Sequence, residues 1–299
     1  MTTGIVLSAY NGSKYIVQQL DSIKNQSVKA DKVIISDDCS TDDTPSIIEA
    51  YIKDNNLTDW TFIKNSVNKG WKKNFYDLID MCDTDWVLPC DQDDIWNNRK
   101  IEFMSRFYED PKVNVIGGNY IAFSHAQSPV FDEVKGTVKG EHKGFGPKFN
   151  YVVIPGCCMG IRKTFFDGIK PYYFADLAHD EFAYTFGFLS DGICLVNQNL
   201  ILHRLHDTVT APDYTEEKTV WPERNLRKMQ NMLTYLEVNP ASDPDGKKAD
   251  VVKRGMDWVE ARKRLYKSGS FKDFMALLSY LPYYLHLRTW VREWLVAKR

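Results

Sequence analysis

The sequence lacks the marks of several protein classes. Its six cysteines form no C-x-x-C pair and two of them are adjacent, which suits neither a zinc site nor a disulfide framework. It has no excess of one charge, since 38 lysines and arginines stand against 40 aspartates and glutamates, so nucleic acid is not an expected partner. No basic segment followed by a cleavable apolar stretch opens it. We therefore expect reduced thiols and a cytoplasmic location.

A dinucleotide-binding signature is also missing. No G-x-G-x-x-G follows the first apolar strand, at residues 4–8, which argues against a dehydrogenase. Instead, apolar strands at residues 4–8, 32–36, 60–63 and 85–90 alternate with amphipathic helices. This alternation predicts an α/β fold with a mainly parallel sheet flanked by helices.

Beyond residue 100 the pattern is less regular. Residues 113–123 and 151–161 have β character, and from about Trp221 the chain is strongly helical, with breaks at residues 240–244 and at Pro282. We predict one α/β domain over residues 1–215, with a nucleotide-binding half (1–100) and an acceptor half (101–215). A helical C-terminal extension over residues 216–299 follows it.

An acidic cluster directly follows the strand at residues 85–90. Asp91, Asp93 and Asp94 are separated only by Gln92, and their mutual repulsion favours a bound cation. Mg²⁺ or Mn²⁺ takes carboxylate oxygens and keeps positions open for phosphate. Such an ion would stabilise the charge that builds on a departing nucleoside diphosphate. The alternative is a solvated acidic loop or a helix cap, and the position at a strand end favours the metal.

Polar residues follow the other strands as well. Parallel sheets of this kind bind ligands beyond the carboxyl ends of their strands. Carboxylates after the second strand can accept hydrogen bonds from a base or a ribose, although helix capping alone is an alternative. The candidates for binding the nucleotide-sugar are Ser8, Tyr10, Asn11, Asp37, Asp38, Asn68 and Lys69 at these strand ends, together with Asp91 and Gln92 in the acidic cluster.

Four segments together resemble glycosyltransferase family 2, which has the GT-A fold. They are LSAYN at residues 7–11, IISDDCSTD at 34–42, NKG at 68–70 and CDQDDIW at 90–96. The likeness is continuous over about the first 100 residues and continues as short islands to about residue 206. Within this family, the DQDDIW segment most resembles that of bacterial polysaccharide enzymes described as rhamnosyltransferases.

The resemblance implies roles for individual residues. It assigns Tyr10 and Asp38 to the nucleoside, Asp91 to the ribose and diphosphate region, and Asp93 to the metal. It also implies a single displacement that inverts the anomeric carbon, with a carboxylate as general base for the acceptor hydroxyl.

The predicted base lies where the family usually shows an acidic pair. Asp180 is the first candidate and Glu181 stays open beside it, at the start of a predicted helix over residues 182–189. A helix N-terminus lowers the pKa of a carboxyl group and keeps it ionised at neutral pH. The alternative is an N-terminal cap without a catalytic role.

Two segments on either side of that pair add candidates. The stretch at residues 155–159 resembles the family's small-residue segment beneath the sugars, or is a plain buried strand. After the predicted strand at residues 193–202, Arg204 could neutralise phosphate and His206 could complete the metal shell, although a lone histidine after a strand is more often structural.

The C-terminal segment, residues 271–299, mixes aromatic and basic residues. Pro282 and the charges exclude a membrane-spanning helix there. The mixture suits a helix that lies in an anionic membrane interface, and equally a helix packed on its own domain or in a homo-oligomer.

These observations predict an inverting, metal-dependent glycosyltransferase. We expect it to move a sugar, best L-rhamnose from dTDP-rhamnose, to a hydroxyl of a bacterial surface polysaccharide that is lipid-linked. The alternatives are a UDP-hexose-dependent transferase of the same family and a non-catalytic scaffold with the same fold.

Overall fold

The structure, a computed structural model, describes residues 1–124, 130–131, 137–205 and 214–298, without the side chains of residues 214, 215 and 217. The chain divides into two compact units. As far as they are described, the first comprises Met1–Lys143, Val153–Gly187 and Asp191–Asp207, and the second comprises Gly144–Val152, Phe188–Ser190 and Thr208–Arg299. The predicted halves and the boundary at residue 215 stay predictions.

A mixed sheet forms the first unit. Its described strands are β1 (Thr3–Ala9), β2 (Lys32–Asp37), β3 (Trp60–Lys64), β4 (Trp86–Asp91), β5 (Ile95–Trp96), β6 (Val115–Phe123), β7 (Gly140–Lys143), β8 (Met159–Arg162) and β9 (Ile193–Arg204). They are ordered β3-β2-β1-β4-β8-β6-β9-β5, and β7 pairs with β9. The first four strands are parallel, as is the β6–β9 pair. The strands β5, β7 and β8 pair antiparallel with their neighbours.

The central strands are apolar because both of their faces are covered. Ile5, Val6 and Leu7 of β1 are fully buried, as expected for a parallel strand between two helical layers. The helices are α1 (Ile16–Lys24), α2 (Thr44–Asp54), α3 (Trp71–Met81), α4 (Lys100–Ser105), α5 (Lys163–Ile169) and α6 (His179–Leu189). The predicted α/β class with a mainly parallel, helix-flanked sheet is confirmed.

The β structure predicted over residues 151–161 is wrong for most of that segment. Only its end belongs to β8, and Gly156–Cys158 forms a 3-10 turn. The physical reason lies in the sequence of the turn, because Pro155 cannot donate to a strand ladder and Gly156 weakens a strand interior. This turn brings residues 156–158 to the candidate site described below.

Helices build the second unit, as the sequence predicts. They are α7 (Tyr214–Val238), α8 (Lys247–Ser268), α9 (Phe271–Ala276) and α10 (Leu287–Lys298), with short 3-10 turns at Pro240–Ser242 and Leu277–Tyr283. Both predicted breaks coincide with these turns. The guanidinium of Arg262 and the carboxylate of Glu293 form a buried ion pair of 3.0 Å between α8 and α10. None of the helices in the described ranges is both long and apolar enough to cross a membrane.

Candidate active site

Three strand ends meet at one edge of the sheet. Ser8 on β1 pairs with Asp91 at the end of β4, and Ala9 pairs with Asp37 at the end of β2. The parallel register therefore places the polar residues that follow these strands side by side. This arrangement is the one that the strand-end rule predicts for a ligand site.

The loop after β1 is held in shape by two amide side chains. The Gln92 side chain accepts from the backbone N–H of Tyr10 (2.8 Å) and donates to its carbonyl oxygen (2.9 Å). Asn11, at a φ of 50°, accepts from the backbone N–H of Thr41 (2.8 Å). The Tyr10 ring stays 46% exposed, so it is accessible to a flat ligand such as a base. Gln92 and Asn11 thus shape the loop that presents Tyr10.

The carboxylates of Asp37 and Asp38, at the end of β2, accept hydrogen bonds from different loops. Asp37 accepts from the backbone N–H (2.9 Å) and the hydroxyl of Ser40, so it closes its own loop. Asp38 accepts through Oδ1 from the side-chain amide of Asn65 and the backbone N–H of Lys69, both at 2.9 Å. Asp38 therefore ties the loop after β2 to the loop after β3.

The loop after β3 contributes mainly through its backbone. Asn68 accepts from the backbone N–H of Gly70 (2.9 Å), which steadies the start of α3. The ammonium group of Lys69 lies 3.2 Å from the carboxylate of Asp77 in an exposed ion pair. The structure thus brings the Lys69 backbone to Asp38 and pairs its charged end with a residue of α3.

A buried asparagine on α3 connects the three loops. Asn74 donates to the hydroxyl of Ser8 (2.8 Å) and accepts from the hydroxyl of Ser36 (2.8 Å) and the amide of Asn65 (3.0 Å). Neither Asn65 nor Asn74 was expected from the sequence. Asn65 directly follows β3, so the strand-end rule would have found it, whereas Asn74 is one polar residue on the buried face of a helix.

The acidic loop after β4 concentrates negative charge in a partly buried place. Burial and the neighbouring carboxylates of Asp94 and Asp93 raise the pKa of Asp91 to about 7, and a hydrogen bond from Cys157 opposes that rise. Asp94 is 1% exposed, and its Oδ1 accepts from the ring of His203 (2.9 Å). This hydrogen bond, together with the carboxylate charge, raises the pKa of His203.

Arg204 holds the acidic loop by hydrogen bonds to Asp93 and Asp94. Its backbone N–H donates to Oδ1 of Asp94 (3.2 Å), and its guanidinium donates to the carbonyl oxygen of Asp93 (2.9 Å). The guanidinium lies 4.5 Å from the ring centroids of both Tyr15 and Phe123. Because Arg204 is only 7% exposed, its contacts here are with the protein itself.

The acceptor-side turn reaches the acidic loop through Cys157. The ligand atoms of Asp94, Cys157 and His203 all lie within 4.8 Å of one another. The buried ammonium of Lys100 donates to the Cys157 carbonyl oxygen (2.6 Å) and lies 3.3 Å from the centroid of the Trp96 ring. His203 and Lys100 were not expected at the site, and Cys157 was expected only as part of the stretch at residues 155–159, because each acquires its surroundings only by long-range packing.

Gly156 connects this turn to the predicted base. A Cβ added at Gly156 would come within 2.5 Å of Nε2 of His179 and 3.3 Å of Cβ of Asp180, so the first turn of α6 packs directly on the glycine. Asp180 accepts from the backbone N–H of Glu181 (2.7 Å). The acidic pair therefore starts a helix next to the turn that contacts Asp91. His206, the other predicted metal ligand, lies outside the described residues.

Oxygen ligands are available here for a divalent cation. Oδ2 of Asp94 is buried without a hydrogen-bond partner among the described residues, and the high pKa of Asp91 reflects first its burial and then the charges of Asp94 and Asp93, whose repulsion a cation would relieve. Asp91, Asp93 and Asp94 carry the hard oxygen donors that Mg²⁺ and Mn²⁺ prefer. Among the described residues, however, the ligand atoms that meet within 4.8 Å are those of Asp94, Cys157 and His203, so only Asp94 supplies a carboxylate to that group.

Known proteins resemble this chain in sequence and in fold. The model of glycosyl transferase family 2 matches residues 4–169, more than half of the chain. The glucosyltransferase WfaP of Escherichia coli, named for UDP-Glc and α-D-GlcNAc-diphosphoundecaprenol, is 29% identical over 71% of this chain and 81% of its own length. The dTDP-rhamnosyl transferase RfbG of Shigella flexneri is 30% identical over 60% of this chain and 64% of its own length.

A solved structure shares the fold. It is the crystal structure of Staphylococcus aureus TarS 1–349 in complex with UDP-GlcNAc, with a TM-score of 0.60 at 16% identity, covering 94% of this chain and 80% of that one. The fold is therefore of the GT-A type. The chain belongs to glycosyl transferase family 2 and is a nucleotide-sugar-dependent glycosyltransferase.

Proposed function

We propose that this protein is an inverting, divalent-metal-dependent transferase that adds one sugar to a hydroxyl of a lipid-linked bacterial surface polysaccharide. The observation that carries the proposal is the meeting of two groups of residues. The acidic loop at residues 91–94 and the turn at 156–158 contact each other through Cys157, and Asp180 starts the helix packed on Gly156. A donor diphosphate and an acceptor hydroxyl would meet at this junction.

The strand-end loops would bind the nucleoside of the donor. The exposed ring of Tyr10 offers a stacking face, and the loop that carries it is held by Gln92. Asp38 would contribute by tying the loops after β2 and β3 together, since it is only 2% exposed and its Oδ1 already accepts two hydrogen bonds. Such contacts would recognise a nucleoside in general and would not by themselves select one base.

Asp91 and Asp93 would hold the metal, with Asp94 and His203 beside them. A bound Mg²⁺ or Mn²⁺ would neutralise charge on the departing nucleoside diphosphate. Arg204 would act by holding the acidic loop in place, since its guanidinium is committed to Asp93 and to Gln18.

Asp180 would take the proton from the acceptor hydroxyl. A sugar hydroxyl is a weak nucleophile at neutral pH, so a carboxylate that removes its proton as the new bond forms raises the rate by about 10²–10⁴. Attack from the face opposite the leaving group then inverts the anomeric carbon.

Two donors have specific support. The similarity to RfbG and the DQDDIW segment favour dTDP-rhamnose, and the similarity to WfaP, over a larger share of both chains, favours a UDP-hexose. The name of WfaP contains a diphosphoundecaprenol acceptor, which supports a lipid-linked acceptor here.

A thermal-shift screen with dTDP-rhamnose, UDP-glucose and UDP-GlcNAc, each with Mn²⁺ or with EDTA, tests the proposal. A ligand at 100 times its Kd adds about 2.7 kcal/mol to the free energy of unfolding, so the true donor raises Tm, and we expect this only with Mn²⁺. Transfer to a lipid-diphosphate acceptor is then followed by NMR of the new anomeric centre. Retention of configuration would overturn the mechanism, and donor binding without transfer to any acceptor would favour a scaffold.

A further inference from the structure

The α8–α10 region carries a charge opposite to that of the rest of the chain. Residues 247–298 contain twelve lysines and arginines but only five aspartates and glutamates. The remaining residues contain 26 lysines and arginines against 35 aspartates and glutamates. The chain as a whole is therefore nearly neutral although this group of helices is strongly basic. A basic surface of this kind attracts an anionic partner.

The outer face of α10 is apolar as well as basic. Leu287, Val291 and Leu295 are 62%, 47% and 59% exposed, and their spacing of four residues puts them in one row along the helix. Arg288 and Arg292, each one residue further on, form an exposed basic row beside them. On the opposite side, Glu293 and Val296 are buried in the unit. The solvent-exposed side of α10 therefore carries an apolar row next to a basic row, while its opposite side packs into the unit.

A second element extends the exposed apolar face. The ring of Phe271, at the start of α9, is 63% exposed and lies 5.8 Å from the ring of Trp294 on α10, measured between centroids. The ammonium of Lys298 donates to the Gly269 carbonyl oxygen (2.8 Å), so the end of α10 meets the turn between α8 and α9. The apolar row therefore continues from α10 onto α9.

A basic cavity of about 510 Å³ lies between α7 and α8 near this turn. Its lining includes Lys218, Lys263, Arg264 and Lys267, with Glu260 as the acidic member. Lys263 is paired with Glu223 (2.7 Å) and Glu260 (3.3 Å). Within the described residues the other three cations have no ion pair, so the cavity offers net positive charge to an anion the size of a phosphate headgroup.

We propose that the outer face of α9 and α10, with this cavity, is a docking surface for an anionic phospholipid bilayer. The apolar row would enter the acyl boundary while the basic row and the cavity bind headgroups. Charge decides between the possible occupants, because a second copy of the chain would place two such basic surfaces against each other. The proposal does not depend on the proposed transferase activity.

Co-sedimentation of the full chain with vesicles tests it directly. We expect binding to vesicles of phosphatidylcholine with 30% phosphatidylglycerol, little binding to pure phosphatidylcholine, and loss of binding as salt rises, because exposed charges are screened. Equal binding to both compositions, or to neither, would overturn the proposal.

A matched pair of double variants tests the apolar row. Val291→Gln with Leu295→Gln should lower the vesicle partition coefficient by roughly tenfold or more. Val220→Gln with Val238→Gln is the control, since these α7 residues are 52% and 67% exposed and the change is chemically the same. Circular dichroism and Tm check that each variant folds. An equal loss of vesicle binding in both double variants would show that the apolar row of α10 has no particular role in binding.

A second pair tests the cavity. Each basic residue near an anionic surface contributes ~1 kcal/mol, so Arg264→Gln with Lys267→Gln should reduce binding by roughly tenfold or more. Lys247→Gln with Lys253→Gln, at the other end of α8, removes the same charge away from the cavity and should have a smaller effect. Light scattering completes the test: a dimer that dissociates in the Val291→Gln, Leu295→Gln variant, without vesicle binding by the wild type, would make the face a subunit interface and overturn the proposal.

Discussion

The two sides of the candidate site are built in different ways. On the donor side, parallel pairing of β1 with β2 and β4 aligns three strand ends, and hydrogen bonds from Gln92 and Asn74 fix the loops. On the acceptor side, the turn at Gly156–Cys158 and the start of α6 meet by close packing. We therefore expect the donor side to be sensitive to the loss of charge and the acceptor side to be sensitive to added volume as well.

The largest expected effect is on the acceptor side, at the predicted base. Asp180→Asn keeps the size of the side chain and its capacity to accept from the Glu181 backbone, but removes its basicity. We expect kcat to fall by about 10²–10⁴ with the Kd for the donor unchanged. Glu181→Gln is the control. A normal rate for Asp180→Asn with an inactive Glu181→Gln would make Glu181 the base.

The next effect belongs to the donor side. Asp93→Asn removes one negative charge from the acidic loop but keeps its carbonyl oxygen, which accepts from Arg204. We expect Mn²⁺ and nucleoside diphosphate to bind together about tenfold to a hundredfold more weakly, because loss of a charge-assisted contact costs about 1.5–3 kcal/mol. Calorimetric titration measures both ligands. Undiminished affinity of Asp93→Asn for Mn²⁺ would show that Asp93 is not a metal ligand.

The sequence predicts the donor side better, for a physical reason. Strand and helix periodicity is local, and the parallel sheet fixes where strand ends lie, so Ser8, Asp37 and Asp91 could be found without coordinates. The strands predicted at residues 4–8, 32–36, 60–63 and 85–90 correspond to β1, β2, β3 and β4. The acceptor side depends on contacts across the chain, such as Asp94 with His203, and no local pattern shows them.

Even on the donor side, the position of a polar residue in the sequence did not show which contacts its side chain makes. Asp37 and Lys69 were expected to meet the nucleotide, yet Asp37 bonds to Ser40 and the Lys69 ammonium pairs with Asp77. Whether either also contacts a ligand stays a prediction. The end of a strand predicts where a polar residue lies. The residues around it in the fold determine which of its atoms remain available to a ligand.

A smaller effect should follow from crowding the acceptor-side turn. Gly156→Ala adds a methyl group against His179 and Asp180, whereas Gly168→Ala on α5 adds one with no atom within 4 Å. A shift in the base of even a fraction of an ångström lowers the rate, so we expect kcat to fall about tenfold for the first variant and to stay normal for the second. Equal rates for both variants would show that the first turn of α6 adjusts without loss of function.

The smallest effect is a pH dependence of stability on the donor side. In the metal-free protein the pKa of Asp91 is raised to about 7, chiefly by burial and then by the charges of Asp94 and Asp93. Between about pH 4 and pH 7 the folded state therefore keeps a proton that the unfolded chain has released. Stability must then fall as pH rises through this window, and it reaches its lower level above pH 7.

The measurement is Tm in EDTA between pH 5 and pH 8, for the wild type and for Asp91→Asn. The raised pKa of His203 also lowers stability as pH rises, but this histidine is largely protonated in both states below about pH 5.5, so the part of the range below that pH reports mainly on Asp91. We expect Tm of the wild type to drop by roughly 2–5 °C across the whole range and that of the variant to drop less. Mn²⁺ should flatten the wild-type profile, since a cation beside the carboxylate favours its charged form. Parallel profiles for the two proteins in EDTA would mean that Asp91 is already ionised at pH 5, and that the acidic loop carries its charge without the help of a cation.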